Sequence, residues 1–322
     1  MKTDVLIVPN DTLVLGVGRG AAFRRGWSVD GRLASELLLG ILRSTYLASG
    51  LQPPGDLRIT AQFAASGVGG RLEPLYLVPD DLLVEPGAKD AVWVQPAYLE
   101  VVHKEIVQHD LDDLHLLVPS NRNTAAHPFE AYLTRKGVRC WAERKSQRLV
   151  EREHYMPFAL MFDVEHRSSG DGVAVHLSVR PGIGFIVSFE TNESDSELLL
   201  PLTVKASSEN RTVRVEEAQF PLPTIEIKAR KRWRICLLSE VISESGWPSW
   251  IDGDARTTRA PLPEGGKVVA FARRHFDGVF GAPSGGAPGT AHTVLPVGTT
   301  LFIEFEEPVQ IEQSPEILAG GS

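Results

Sequence analysis

The sequence predicts an α+β protein with two domains. Helical and extended patterns occur in both halves of the chain, and such a mixture is typical of the α+β class. Residues 33–47 carry apolar side chains at helical spacing, whereas residues from about 150 onward alternate short apolar segments with polar turns. A length of 322 residues fits about two domains. The change of pattern predicts a boundary between residues 1–147 and 148–322.

The first half is predicted to contain both helices and strands. Its apolar residues recur at helical spacing in one long segment and in shorter runs elsewhere. In chain order we predict strands at 5–8 and 12–15, a helix at 33–47, extended segments at 57–63, 71–77 and 79–84, an acidic and partly helical stretch at 97–118, and a short helix at 129–136 that Gly137 ends.

The second half is predicted to be mainly β-sheet. Its apolar segments are short and are separated by polar turns, which is typical of strands. We expect strands at 159–164, 173–179, 185–189, 198–204, 212–215, 224–238, 268–272 and 299–305, with a loop rich in glycine and proline, 278–289, before the last of them.

The net charge of −8 argues against a protein coated in positive charge for nucleic acid. The acidic groups are localised, however. Residues 71–118 carry 3 basic and 10 acidic groups, and residues 301–322 carry 5 acidic groups and none that are basic. The remainder of the chain is therefore mildly basic, so a basic surface on part of the molecule stays compatible with the composition.

The composition also bears on the compartment. Two cysteines cannot form a disulfide framework and indicate a reducing environment. Asp4 and Asp11 stand where a signal peptide needs an apolar core. No apolar run approaches the roughly 20 residues of a membrane helix. We therefore expect a cytoplasmic protein.

A glycine-rich loop, Gly16–Gly20, is followed by the basic residues Arg24 and Arg25. A dinucleotide site would need a helix that starts inside the glycines, and the sequence has none there. A plain loop and a loop that contacts RNA or phosphate through Arg19, Arg24 and Arg25 both remain open. No acidic residue occurs between Thr12 and Val29, so these arginines have no neutralising neighbour in the sequence.

The densest basic feature lies in the predicted strand 224–238. On a strand, Lys228, Arg230, Arg232 and Arg234 share one face, and alternate residues lie about 6.6 Å apart. This spacing is similar to that of phosphates along an extended single strand, so the stripe is a candidate track for an RNA backbone. A solvated or edge face, on which the cations prevent aggregation between sheets, is the alternative.

A second glycine-rich segment contains Gly285, Gly286 and Gly289, with His292 close behind. Glycines let a backbone approach a ligand closely and offer N–H groups to phosphates. A flexible linker is the alternative, but the segment leads directly into an apolar strand, which holds it near a sheet edge.

No pattern in the sequence positively indicates catalysis or a bound metal. His103, His109 and His115 recur every six residues, a spacing that does not converge on one ion. His154 has no acid–base partner that spacing identifies. Neither cysteine belongs to a C-x-x-C pair, and no Walker A or G-x-S-x-G sequence occurs. We therefore expect no cofactor, no metal and no catalytic residues.

Several segments together resemble the RAMP superfamily of CRISPR effector subunits. Within this superfamily they resemble the subunit-three family of the type III-B (Cmr) complex, whose members bind the 5′ handle of the guide RNA. Five stretches carry the resemblance in the family's order: the N-terminal strand and loop with Leu39-Gly40-Ile41-Leu42-Arg43, Arg58-Ile59-Thr60 through 73–83 with Pro79-Asp80-Asp81-Leu82, Glu143-Arg144-Lys145, Trp233–Leu238 with Ser245-Gly246-Trp247-Pro248, and 288–302 with Val294-Leu295-Pro296-Val297-Gly298. The related subunits of type III-A (Csm) and III-D complexes are the nearest competitors.

This resemblance implies two ferredoxin-like (RRM-like) RAMP domains with glycine-rich loops. It also implies a non-catalytic scaffold for antiviral defence that binds the crRNA 5′ handle, with a large polymerase/cyclase-like subunit and a backbone RAMP subunit as partners. The RNA-binding candidates are Arg19, Arg24, Arg25 and Arg43, the loop residues Gly285, Gly286, Gly289 and His292, and the stripe Lys228, Arg230, Arg232 and Arg234.

Two other functions stay open on the sequence. One is a metal-independent RAMP endoribonuclease that processes precursor crRNA, with His154 or His292 as acid–base. The other is a structural subunit that contacts only proteins.

Overall fold

We describe the fold from a computed structural model of the 322-residue chain. The structure describes residues 2–10, 13–19, 35–68, 71–84, 91–92, 96–98, 117–119, 127–128, 131–143, 148–169, 172–192, 198–206, 211–218, 225, 227–239, 241–243, 247–272, 293–295, 297–314 and 316–321.

Short strands make up most of the described structure. Up to residue 157 the elements are β1 (Lys2–Pro9), β2 (Val14–Arg19), α1 (Ser35–Ala48), β3 (Arg58–Val68), β4 (Arg71–Leu77), β5 (Leu83–Val84), β6 (Ala91–Val92), β7 (Pro96–Tyr98), β8 (Leu117–Pro119), β9 (His127–Pro128), β10 (Ala131–Leu133), α2 (Arg135–Glu143), β11 (Arg148–Leu149) and β12 (Tyr155–Pro157).

After a 3-10 helix at Phe158–Leu160 the described residues form strands joined by turns and irregular segments, without a further helix. The strands are β13 (Phe162–Ser169), β14 (Gly172–Val179), β15 (Ile183–Glu190), β16 (Leu202–Lys205), β17 (Thr212–Glu217), β18 (Arg230–Leu237), β19 (Val241–Ser243), β20 (Ile251–Asp252), β21 (Thr257–Thr258), β22 (Lys267–Ala272), β23 (Thr293–Leu295), β24 (Thr300–Val309) and β25 (Ile317–Gly321). The α+β prediction is confirmed, with antiparallel sheet dominating.

The chain divides into two compact units, and each is built from two separate stretches of sequence. Unit 1 comprises 1–76 and 156–221, and unit 2 comprises 77–155 and 222–322. This division differs from the boundary expected at 147/148. The reason lies in strand pairing, because β15, from the second half of the chain, pairs with β1 and β3 from the first half.

The main sheet of unit 1 is antiparallel, with the strand order β4-β3-β15-β1-β17-β16. Val5 and Ile7 of β1 and Val213 and Val215 of β17 are buried, while the residues between them are more exposed. This alternation of period two directs one face of each strand into the core. In contrast, β15 is buried along nearly its whole length because it lies between β1 and β3.

Helix α1 confirms the predicted helix at 33–47, with its end one residue later at Ala48. Leu38, Ile41, Leu42 and Tyr46 are buried, which is the 3–4 spacing that defines one face of a helix. The Tyr46 ring meets the Phe189 ring of β15 edge to face, with 6.4 Å between centroids. The buried face of α1 therefore packs on the unit 1 sheet and leaves the opposite face exposed.

A second, three-stranded antiparallel sheet of unit 1 has the order β13-β14-β2. In it Gly16 is opposite Leu177, Gly18 is opposite Val175, and Arg19 is opposite Ala174. Residues 16–19 are therefore strand, and the prediction of a loop that starts at Gly16 is wrong for them. The pairing partner, β14, lies more than 150 residues away and gives no local signal in the sequence.

The main sheet of unit 2 has the order β20-β21-β22-β24-β18-β25. Strand β18 lies between β24 and β25 and is antiparallel to both. All its residues from Trp233 onward are buried, including Ile235 and Cys236. Cys140 and Cys236 do not form a disulfide.

Helix α2 differs from the predicted helix at 129–136. Residues 131–133 are strand, and the helix runs from Arg135 to Glu143 with Gly137 inside it. Gly137 is not a stop signal. A Cβ atom at this position would overlap the backbone oxygen of His154, so the glycine permits the chain at 154 to lie against the first turn of the helix.

No helix in the described part of the chain is long and apolar enough to cross a membrane. The longest described helix, α1, has 14 residues, short of the roughly 20 that a span requires.

A hydrogen-bonded carboxylate in unit 1, that of Asp56, makes the stability of this unit depend on pH in the acid range. Asp56 accepts a hydrogen bond from the Asn192 backbone N–H at 2.6 Å and one from the Thr191 hydroxyl at 2.8 Å. These two bonds, the backbone one first, hold the pKa of Asp56 below its usual value of 3.8. Because the folded pKa is the lower one, the stabilisation is present above the unfolded pKa and is lost as the pH falls through the folded value.

We therefore expect Asp56→Asn to reduce the pH dependence of the melting temperature below pH 4. Thermal melts between pH 2.5 and 6 measure this. Asp254→Asn is the control, since the Asp254 carboxylate accepts no hydrogen bond from the described residues. Identical pH profiles for Asp56→Asn and the wild type would contradict the assignment.

Candidate nucleic-acid interface

The predicted basic stripe on β18 is only partly a surface feature. Lys228 and Arg232 are exposed, and Arg230 is half-buried. Arg234, in contrast, is 3% exposed. The candidate RNA track along Lys228, Arg230, Arg232 and Arg234 therefore does not extend to Arg234, which is buried.

The exposed part of the stripe is next to carboxylates of β24. Arg232 forms an ion pair with Glu304, the residue opposite it in the sheet. Lys267 of β22 is opposite Glu304 on the side of β24 that faces away from β18. Across the three neighbouring strands, Arg232, Glu304 and Lys267 thus alternate in charge. Glu306 and Glu307 are exposed a little further along β24. This surface carries mixed charge, whereas a track for an RNA backbone needs an excess of positive charge.

The edge-strand alternative is wrong for residues 233–237, where β18 pairs with β24 on one side and with β25 on the other. Pairing with β25 begins only at Trp233, so residues 230–232 lie before the stretch that is paired on both sides. Lys231 and Arg232 are exposed there. A solvated or edge face, on which cations prevent aggregation between sheets, therefore stays open for residues 230–232.

Arg234 belongs to a buried network of unit 2. Its Nη1 donates to Asp81 Oδ2 at 2.8 Å, and the two side chains are 3% and 1% exposed. Its Nε donates to the Gly321 carbonyl at 2.8 Å and its Nη2 to the Trp141 carbonyl at 2.5 Å. The guanidinium also lies 4.6 Å from the centroid of the Trp141 ring. Each nitrogen of the guanidinium is thus bound inside the protein.

The Asp81 carboxylate is likewise enclosed by donors. Trp141 Nε1 donates to its two oxygens at 3.0 and 3.3 Å, and the Thr300 hydroxyl donates to Oδ1 at 3.3 Å. A buried charge is tolerated only when it is paired and its remaining hydrogen-bonding capacity is satisfied. The network of Asp81, Trp141, Arg234 and Thr300 meets both conditions, so we assign it a structural role. We call it the Asp81–Arg234 network.

Three of the stretches that carry the sequence resemblance converge on this network. The Asp80 N–H donates to the Gly298 carbonyl at 2.8 Å, and the Gly298 N–H donates to the Leu237 carbonyl at 2.9 Å. Gly298 has a φ of +92°, and a Cβ there would lie 3.1 Å from Asp80 Oδ1. The segments around 80, 234 and 298 thus share one buried core. Their contacts hold unit 2 together.

Sequence reasoning missed this network, although a signal for it existed. The apolar segment Leu-Val-Pro-Asp-Asp-Leu-Leu contains the two carboxylates Asp80 and Asp81, and Arg234 is the charged member of the apolar segment Trp-Arg-Ile-Cys-Leu-Leu. Charges of opposite sign inside two such segments indicate a buried pair. Spacing along the chain, however, does not say that residues 153 positions apart meet.

Arg43 is the predicted contact residue of unit 1 whose exposure the structure describes. It lies on the exposed face of α1, beside the equally exposed Gly40, and none of the described residues binds its guanidinium. A Cβ atom at Gly40 would meet nothing within 4 Å, so the helix backbone is open to close approach next to Arg43. Arg43 belongs to unit 1, and the exposed cations of β18 belong to unit 2.

Most of the other predicted contact residues lie outside the part of the chain that the structure describes. Arg19 is the last residue of β2. Arg24, Arg25, Gly285, Gly286, Gly289 and His292 lie outside the described residues. Their role in RNA binding stays a prediction.

His154, the candidate acid–base residue, takes part in a local turn. Its Nδ1 accepts a hydrogen bond from the Val150 N–H at 3.2 Å, and its own N–H donates to the Val150 carbonyl at 2.8 Å. Its carbonyl accepts from the Thr134 N–H at 3.0 Å. These contacts give His154 a structural function at the start of α2. Within the described ranges no group of three His, Cys, Asp or Glu residues is placed to hold a metal ion.

Comparisons with known proteins give structural similarity only. No protein-family profile matches the chain, and no curated protein sequence matches it. A cryo-EM structure of the Type III-B Cmr-beta bound to cognate target RNA and AMPPnP, state 1, contains a chain with 12% identity and a TM-score of 0.42. The match covers 93% of this chain and 86% of that one. A structure of the Type III-B Cmr-beta bound to cognate target RNA matches with the same identity and coverage and a TM-score of 0.36.

Proposed function

We propose that this chain is a non-catalytic subunit of a type III CRISPR complex that binds the 5′ handle of the crRNA and docks the large polymerase/cyclase-like subunit beside a backbone RAMP subunit. The proposal includes two ferredoxin-like RAMP domains. Five sequence stretches in the family's order support it, and so does the architecture of each unit, in which a helix packs on an antiparallel sheet.

The observation that carries the proposal is the state of Arg43. Its segment, Leu39-Gly40-Ile41-Leu42-Arg43, resembles a motif of the family, and in the structure the guanidinium is exposed and unpaired among the described residues. A guanidinium that no carboxylate neutralises can bind phosphate through two parallel hydrogen bonds. The glycine three residues earlier removes the side chain that would keep a nucleotide at a distance.

The test is the identity of the RNA that the protein retains in its native host. We expect RNA that co-purifies with the tagged chain to begin with repeat-derived 5′ ends. Arg43→Gln should bind this RNA about tenfold more weakly, the effect of one lost hydrogen bond to a charged group. Arg58→Gln is the matched control, because Arg58 is an exposed arginine of the same unit that pairs with Glu190 at 3.0 Å.

Two results would overturn the proposal. One is bound RNA without any repeat-derived 5′ end. The other is cleavage of precursor crRNA by the purified chain in the absence of divalent metal, which would favour the endoribonuclease instead.

A further inference from the structure

Helix α2 of unit 2 presents a basic surface that the proposed handle site does not include. The helix buries Gly137, Val138, Trp141 and Ala142 and exposes Arg135, Lys136 and Arg139 on the opposite arc. The exposed side chain of Arg152 stands on the turn at 150–155. We call Arg135, Lys136, Arg139 and Arg152 the α2 surface.

The turn at 150–155 is fixed to the first turn of α2. The Thr134 hydroxyl donates to the Glu153 carbonyl at 2.7 Å, and Lys136 Nζ binds Glu153 Oε1 at 3.1 Å. The backbone at His154 lies so close to the helix that position 137 has no room for a Cβ atom. Glu153 and His154, which follow Arg152 in the chain, make these contacts and thus hold Arg152 beside the start of the helix.

Two of the four cations on this surface are uncompensated. Lys136 is paired with Glu153, and Arg152 lies 4.0 Å from Glu151. Arg135 and Arg139 have no ion-pair partner in the part of the chain that the structure describes. They are one helical turn apart, with a rise of about 6 Å between them. This separation is close to that of successive phosphates on an extended single strand.

The cations in the first turn of α2 destabilise the helix when no anion is bound there. The first turn of α2 contains Arg135 and Lys136 and no acidic residue. Cations at a helix N-terminus are repelled by the positive end of the helix dipole, whereas a bound anion there is attracted. Arg152 adds a second cost, because it has a φ of +62°, which few residues other than glycine adopt. Such backbone conformations concentrate at functional sites.

We propose that the α2 surface binds the phosphodiester backbone of single-stranded nucleic acid without sequence preference. Arg135 and Arg139 contact successive phosphates, and Arg152 contacts the strand where it passes the turn. Guanidinium groups favour phosphate because their planar donors match two phosphate oxygens at once. RNA and DNA share this backbone chemistry, and the probes below separate them.

Salt dependence of binding tests this proposal. Fluorescence anisotropy of the full chain is recorded with fluorescein-labelled oligouridine and oligodeoxythymidine of about 20 nucleotides. Each contact with a phosphate of a single strand contributes about 0.7 to the slope of log K against log salt concentration. Arg135→Gln with Arg139→Gln should therefore lower the slope by about 1.4, so that the affinity loss from 50 to 200 mM salt shrinks about sevenfold. Arg152→Gly, which suits the positive φ, should lower the slope by about 0.7.

The matched control is Lys231→Gln with Lys267→Gln, which removes two exposed cations of the same unit that lie outside the α2 surface. Lys267 is opposite Glu304 in the sheet. The slope of this control should equal that of the wild type, and equal melting temperatures establish that all variants fold. Equal slopes for the Arg135/Arg139 variant and the wild type would overturn the proposal, as would an equal loss in the control. Failure of the wild type to bind either probe would also overturn it. The handle proposal would survive that result, since it is decided on repeat-derived RNA.

Discussion

Arg234→Met should destabilise unit 2 by about 3–5 kcal/mol, because it leaves the Asp81 carboxylate buried without its cation. The carboxylate is 1% exposed, so water cannot replace the lost partner. The methionine would also leave the carbonyls of Trp141 and Gly321 without their donors. Urea unfolding followed by tryptophan fluorescence measures the effect, since five of the six tryptophans lie in unit 2.

The change in stability caused by a second substitution distinguishes the loss of this ion pair from a simple loss of packing. Asp81→Asn on its own should destabilise unit 2. Added to Arg234→Met, it should restore part of the lost stability, because the uncompensated negative charge is removed and the amide oxygen can still accept from Trp141 Nε1.

The control for this pair is Arg232→Met. Arg232 pairs with Glu304 on the surface of the same strand, and exposed ion pairs contribute about 1 kcal/mol or less. A loss at Arg234 no larger than the loss at Arg232 would show that the Asp81–Arg234 network does not support unit 2.

Gly137→Ala should destabilise unit 2 by about 3 kcal/mol, the upper part of the usual range for overpacking. The atom that opposes the new methyl group is the backbone oxygen of His154, which cannot move away by changing a rotamer. Thr134 and Lys136 hold the same segment through Glu153, so its displacement would break those contacts as well. The urea midpoint of tryptophan fluorescence reports the change.

Gly40→Ala is the opposite case and serves as the control. Gly40 is also inside a helix, but nothing lies within 4 Å of its Cβ position. Alanine there should raise the stability of unit 1 by about 0.5–1 kcal/mol because of its higher helix propensity. Circular dichroism during thermal melting measures it. Equal effects of alanine at 40 and 137 would contradict the assignment of Gly137 to a close packing contact.

These two glycines also show how far local sequence rules reach. The apolar spacing of Leu33, Leu37, Ile41 and Leu42 predicts α1 correctly, since the signal lies within one helix. The structure buries Ile41 and Leu42 as this spacing indicates, together with Leu38. At α2 the same rules read Gly137 as an end, because a glycine commonly follows a helix. Only the position of the chain at His154 shows why a glycine stands inside this helix.

In the candidate site, too, local sequence patterns predict some properties of the residues, and only the tertiary structure shows others. The exposure of Arg43 agrees with its place on the polar side of an amphipathic pattern. The period-two rule placed Arg234 with Lys228 and Arg232, but that rule says only which side chains share a face. It does not predict at which residue of a strand that face becomes buried by the rest of the protein. On β18 the burial begins between Arg232 and Trp233.

Composition and local periodicity thus suffice for the α+β class, for α1, for the dominance of short strands and for the localisation of acidic charge. Each of these depends on neighbours within a few residues. The tertiary structure decided which cations remain on a surface, because that depends on partners such as Glu304 and Asp81, which lie 72 and 153 residues away from Arg232 and Arg234. The net charge of −8 is the sum over all groups. It cannot distinguish a guanidinium enclosed beside a carboxylate from one that is open to a phosphate.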